Sequence, residues 1–427
     1  MRRNFLFISL DNLSGDVAWQ LSKENNVKYY QQNKNIDLDV ADGFIEKVSN
    51  YEEHLDWAEV IIFDDTLGQG KLAEELRKKG KLVVGGNEYS DRLEDDRSFG
   101  QEELKAVGVD ILPYKDFTSF DEAIQFIKKN PQAYVLKPTG ETEASTKSVL
   151  FVGEQANGAD VIEVLENYKE AWAESIPRFQ LQKRVDGVEV GVGAFYDGHR
   201  FVYPITVAFE HKKLFTGNIG PDTGEMGSSM FWSKPNMMFN STLKKMESRL
   251  KGCVGYIDLN CIVNEEGIYP LEFTNRFGYP TIFIQQEGII SPLGEFFYEL
   301  ASGNNPKLKV KSGFQVGVRL VVPPFPFNDP ETFNVKSKGS VIHFKNGKEG
   351  VHIEDVKIVN KKWVVAGSSG VVMTVCGTGI NMKEAQRKAY ARIKNINIPR
   401  MYYRTDIGDT WYEDGDKLHN WGYLKES

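Results

Sequence analysis

The chain opens with short apolar clusters separated by stretches of helical spacing. In NFLFISL, Phe5 to Leu10 form a nearly continuous apolar run, DNLSGD is a polar turn, and AWQLSKE has helical periodicity. The alternation returns in EVIIFDD, KLAEELRKKG and KLVVGG. Strands connected through helices predict a parallel sheet with crossover connections, so the first hundred residues read as one α/β domain. SDRLEDDRSFGQEELKAVGV then has a helical pattern, followed by DILPYKDF and the helix FDEAIQFIKKN.

Beyond these the period shortens. AYVLKPTG, SVLFVG, FQLQKRVDG and VEVGVGAFYDGHRFVYPITVAFEH are β-rich runs broken by Gly, Asp-Gly and Pro, which predicts a sheet-based module. A helix is expected around STLKKMESRLKG, then a hairpin in GYIDLNCIVNEEGIYPLEF, whose two strands meet at Asn-Glu-Glu-Gly. From about Gly313 the runs GFQVGVRLVV, SVIHFKNG, VKIVNKKWVVAG and GVVMTVCGTG predict a separate β-rich C-terminal module. One helix there sets Met382, Ala385, Ala389, Ile393 and Ile396 on one face.

The hairpin carries the first chemical signal. Glu272 ends an apolar stretch, where an ionised carboxylate is costly unless a cation or donors meet it. Asp258 lies on the facing strand, and opposed side chains on one face approach within about 5 Å. Two carboxylates so placed need a proton or a cation between them, and hard oxygen ligands suit magnesium bridged to phosphates. A surface hairpin with solvated acids is the alternative reading of this stretch. Lys137, before Gly140, and Lys147, before SVLFVG, bracket a polar loop suited to cradling phosphate, and Arg97 and Arg276 add charge-assisted contacts to phosphate oxygens. The glycine-spaced segment FTGNIGPDTGEMGSS, residues 215–229, allows backbone N–H groups to approach a small anionic ligand.

Composition narrows the class without choosing an activity. With 427 residues, 41% hydrophobic and 26% charged, the chain has the make-up of a soluble protein of two to four domains. A net charge of -8 argues against a bulk electrostatic grip on nucleic acid. No apolar segment reaches the roughly 18 residues of a membrane span, and the N-terminus reads as a buried strand rather than a signal peptide, so a cytoplasmic location is expected. Cys253, Cys261 and Cys376 lack paired spacing and read as reduced core residues, and the six scattered histidines form no zinc motif.

EHKKLFTGNIGPDTGEMG, PLEFTNRFG and the terminal MYYRTDIGDTW, with LQKRVDGVE and MKEAQRKAYARI, resemble in order and spacing signatures of the phosphoribosylamine-glycine ligase family. These are ATP-grasp enzymes that make glycinamide ribonucleotide in purine synthesis, and the likeness runs over most of the chain. The resemblance implies an α/β (α+β) ATP-grasp fold. Its parts would be a parallel-sheet pre-ATP-grasp domain over 1–105, an ATP-grasp domain over 106–310 with a lid at about 115–190, and a β-rich C-terminal domain over 311–427.

It further implies ATP and Mg2+ (or Mn2+), with an amino acid and an amine acceptor as small-molecule partners; oligomeric state stays open. Adenine would lie against Gln182, Lys183 and Val185, ribose near Glu189, and phosphates near Arg97, Lys137, Lys147 and Arg276. The metal would sit at Asp258, Glu272 and Asn275. Lys212, Asp222 and Arg276 would be catalytic, and Gly220, Pro221, Asp222, Thr223 and Gly224 would join Arg276 in binding substrate. A carboxylate would attack the γ-phosphate and an amine would displace phosphate from the acyl phosphate, chemistry that needs positioning and charge neutralisation more than a protein nucleophile.

The chain departs from the family in places that matter. The family's N-terminal Gly-Gly-Arg-Glu-His stretch is replaced by LDNLSGD, where Asp11 and Asp16 are expected to repel a phosphate on the acceptor. The lid loop GETEASTKS is poorer in glycine, the family's magnesium asparagine is Thr274 with Asn275 one place later, and its Asp and Glu after Phe-Gly are Tyr279 and Thr281. The expectation is therefore an ATP-dependent carboxylate–amine ligase with a divergent acceptor. The alternatives are the authentic purine ligase and a non-catalytic nucleotide-binding protein.

Overall fold

The structure is a computed structural model and describes residues 2–138, 150–172 and 178–424. Its N-terminal sheet has five parallel strands in the order Glu46–Lys47, Asn26–Gln31, Asn4–Ser9, Val60–Phe63, Leu82–Val84. The central strand is covered on both faces, which is why its sequence is a run rather than an alternation. Leu6 and Ile8 pack with Ile61, Phe63 and Leu76, whereas Phe5 and Phe7 pack toward Phe283 and Phe297. Those two phenylalanines belong to helices Thr281–Gly288 and Leu293–Ala301, which wedge the first sheet against the second.

The second sheet has eight antiparallel strands in the order Ile268–Thr274, Val254–Val263, Val188–Asp197, Phe201–Glu210, Gly227–Ser233, Phe314–Val321, Val371–Gly379, Val351–Ile353. It crosses residue 311 without a break, because Phe314–Val321 pairs with Gly227–Ser233 on one side and Val371–Gly379 on the other. Phe314–Val321, Val371–Gly379 and Val351–Ile353 thus extend the central sheet, while Val356–Val359 with Lys362–Val365 and His343–Phe344 with Ile396–Asn397 form separate two-stranded pairs. A four-stranded sheet, Tyr114–Phe117, Phe179–Lys183, Tyr134–Pro138 and Phe151–Val152, carries helices Phe120–Lys129 and Ala159–Trp172 and has a separate core around Ile127, Leu136 and Leu181.

Three local expectations are corrected. The helical stretch after Ser90 is two helices, Glu88–Asp95 and Arg97–Ala106, parted at Asp96, whose extended backbone (φ -122, ψ 91) lets its side chain accept from Phe99 N at 3.1 Å as an N-cap. The segment STLKKMESRLKG forms a 3-10 turn, Leu243–Met246, rather than a regular helix. Ile396 leaves the helix Met382–Ile393 and enters the short strand Ile396–Asn397, while Met382, Ala385, Ala389 and Ile393 are buried as the spacing predicts. The three cysteines are free and buried.

Candidate active site

The strands Val254–Val263 and Ile268–Thr274 form the predicted hairpin, and its register decides the site. Asn260 is opposite Glu272, and Asp258 is opposite Thr274, with a bulge at Asn260/Cys261. Asp258 and Glu272 share a face but stand diagonally, a spacing of about 7–8 Å between backbones instead of direct opposition. The asparagine facing Glu272 is therefore Asn260. Asn275 lies past the strand end, buried, with its Nδ2 donating to Ser90 O at 2.8 Å and its backbone N to Glu94. It is not among the cleft residues, so the strand end does not bring it to the proposed metal position.

The hairpin forms one wall of a cleft of about 270 Å³ whose lining includes Arg97, Lys137, Lys212, Asp258, Glu272 and Arg276. Three cations gather at one end. Arg97, in the first turn after the Asp96 cap, donates to Glu272 Oε2 at 3.0 Å, and Lys212 Nζ lies 3.9 Å from Glu272 Oε1 and 3.6 Å from Glu210 while also contacting Glu189. Burial alone would depress the Lys212 ammonium, but Glu189, Glu210 and Glu272 together hold it well above the usual lysine range. Lys137 is 5% exposed and donates to Gln182 Oε1 at 2.7 Å. Burial, assisted by Arg97, pushes its ammonium down to about 7. Such a cation is under-compensated until an anion arrives.

The remaining expected residues separate by position. Asp222 and Gly224 line the cleft. Gly220, Pro221 and Thr223 do not; Thr223 instead bonds Lys212 O through both N (3.0 Å) and Oγ1 (2.8 Å). Gln182 and Glu189 are outside the lining and contact Lys137 and Lys212, Lys183 and Val185 are also outside it, and Lys147 lies outside the described residues. Arg276 lines the cleft but is countered by Asp65 and Glu94, each at 3.0 Å. Asp16 does not line the cleft: it is fully buried, accepts from Ile353 N at 2.9 Å and pairs with His352 Nδ1 at 2.7 Å.

Sequence reasoning missed Glu210, Glu225, Asn260 and Arg319. Arg319 carried the same signal as Glu272, a charge inside an apolar strand. It is held bidentately by Glu354 (3.2 and 2.7 Å) and donates to Glu225 O at 3.1 Å. Burial and Glu210 push Glu225 and Asp258 each up to about 8.

Oxygen donors on one face suit a hard divalent ion. Asp258 Oδ2 is buried with no hydrogen-bond partner, and Glu272, Asn260 and Glu210 are its neighbours in the lining. Among the described residues no group of three His, Cys, Asp or Glu forms a preset metal centre. The residues fit an ion of the magnesium type, bound by one or two carboxylates and completed by substrate phosphates.

The model for the phosphoribosylglycinamide synthetase ATP-grasp (A) domain matches residues 95–282, and that for the C domain of the same synthetase matches 329–410. The phosphoribosylamine–glycine ligase of Streptococcus pneumoniae is 25% identical over 357 residues, covering 81% of this chain and 82% of its own length. Among solved structures, the phosphoribosylamine–glycine ligase of Thermotoga maritima superposes with a TM-score of 0.71 at 22% identity, over 95% of this chain and 100% of the other. The biotin carboxylase domain of Hydrogenobacter thermophilus 2-oxoglutarate carboxylase, solved with MgADP, gives 0.63 at 12% identity, over 100% and 98%.

Proposed function

The chain belongs to the phosphoribosylglycinamide synthetase family, within the ATP-grasp superfamily, and from that premise we propose that it joins a small amino acid, glycine or a relative, to an amine that carries no phosphate. The observation that carries the ligase reading is Glu272 set between Arg97 and Lys212, with buried Lys137 beside them. Arg97 and Lys137 would bind the triphosphate, and Lys212 would balance the charge that shifts from the γ-phosphoryl group to ADP in the transition state. Glu272, Asp258 and Asn260 would hold a magnesium ion, which supplies Lewis-acid neutralisation of phosphate oxygens when bound.

The substrate carboxylate attacks the γ-phosphorus, ADP leaves, and the amine nitrogen then attacks the acyl carbon and expels phosphate. No protein nucleophile is required. The cysteines cannot serve as one, since none lines the cleft and burial pushes the Cys253 thiol up to about 11.

The acceptor assignment rests on Arg276. In the cleft wall nearest the N-terminal sheet, its charge is offset twice over by Asp65 and Glu94, which leaves little attraction for a phosphate dianion. Asp16 adds no charge to that wall, since it is buried against His352 and Ile353. The second reading, the authentic purine ligase, is favoured by the names of the relatives. ADP release with ATP, magnesium and glycine separates the two: turnover with phosphoribosylamine but with no phosphate-free amine overturns the proposed acceptor.

A further inference from the structure

The terminal motif YRTDIGD is absorbed by none of the chemistry above, yet it contains the largest fully buried side chain among the described residues, Arg404 at 1% exposure. A buried guanidinium is costly unless its donors are met. Its Nε and Nη2 grip Asp406 bidentately at 2.8 and 2.7 Å, and its Nη1 donates to Lys213 O at 2.8 Å and Asn218 Oδ1 at 3.1 Å. Both latter partners lie on the hairpin Lys213–Phe215 and Ile219–Asp222. Asp406 Oδ2 also accepts from Gly217 N at 2.9 Å, and Thr405 N donates to Thr216 Oγ1 at 3.2 Å. Three consecutive residues of the C-terminal segment thus hold the base and every residue of the turn, across about 190 residues of sequence. Gly217 and Asn218 occupy positive φ (81 and 62), so this turn has a defined shape for the clasp to grip.

The far side of the hairpin reaches the cleft. Lys213 Nζ pairs with Asp222 at 2.9 Å, Thr223 is bonded to Lys212 O, and Asp222 and Gly224 line the cavity. His211, pushed down to about 4 by burial and Arg404, is neutral and accepts from Gly408 N at 3.4 Å, a second tie beside Lys212. ATP's expected contacts at Lys137 and Arg97 are on other elements.

We infer that Arg404 and Asp406 are positioning residues that fix Lys212 and Asp222 for the carboxylate and amine, without holding the nucleotide. The inference rests on the ligase reading. Arg404→Lys keeps the charge but not the fork, and Thr216→Val removes the turn's side of the clasp while conserving shape. Hydrogen–deuterium exchange of residues 213–222 should rise in both folded variants. In Arg404→Lys, kcat/KM for carboxylate and amine should fall about 10–100-fold, the scale of an ångström's misplacement, while the Kd for ATP stays within about twofold. Unchanged exchange in both variants, or ATP affinity falling in step with the other substrates, overturns the inference. If the unaltered protein turns over no amine, the ligase reading fails, and the exchange measurement alone decides the clasp.

Discussion

Lys137→Met is expected to stabilise the free protein while abolishing ATP turnover. In the folded chain burial lowers this ammonium from 10.5 to about 7. At 1.36 kcal/mol per pH unit, a charge held there below neutrality costs roughly 5 kcal/mol. Methionine removes that cost and fills similar volume, but it leaves Gln182 Oε1 without the lysine donor, a loss of about 1–3 kcal/mol. The net gain is about 2–4 kcal/mol, several degrees in Tm for a chain of this size. Its pH dependence follows from the same shift. Between about 7 and 10.5 the unfolded chain keeps a proton that folded Lys137 has released, so unaltered protein gains stability as pH rises through this window. The variant's advantage is therefore full below about 7 and fades toward 10.5. Thermal or denaturant unfolding at pH 6.5 and pH 10, beside ADP release, reads all three effects. A variant no more stable than the parent at pH 6.5, or an advantage that grows with pH, refutes the reasoning.

Other variants probe the remaining wall. Glu272→Gln should lower ADP release by about 100-fold or more and raise the magnesium concentration needed for half-activity, because it removes the charge of a carboxylate that would hold the ion against the phosphates. Arg276→Met should cost about 3–5 kcal/mol in unfolding measurements by leaving Asp65 and Glu94 uncompensated, with most of this recovered when both acids are also neutralised to Asn and Gln. Asp16→Asn should lose about 1–3 kcal/mol of stability yet leave the KM for any phosphate-bearing amine unchanged, since its contacts are with His352 and Ile353; a lowered KM would return Asp16 to the acceptor side.

The sequence by itself determined the principal strands and several of the helices, and which charges had to be explained. The run at Phe5, the hairpin ending in Glu272 and the face carrying Met382 and Ala389 were readable because burial imposes periods of two and 3.6 on a chain. A charge at an apolar strand end marked Glu272 and Lys137, and the same sign stood over Arg319. Tertiary structure decided what each charge meets. Periodicity fixes neither register nor bulge position, so the bulge at Asn260/Cys261 placed Asn260, in place of Leu259, across from Glu272 and left Asp258 diagonal to it on the same face. The partners of Arg276 lie at residues 65 and 94, that of Asp16 at 352, and, besides the local Asp406, those of Arg404 on a hairpin about 190 residues earlier. Electrostatic complementarity acts through space, and only the folded chain brings such residues within reach.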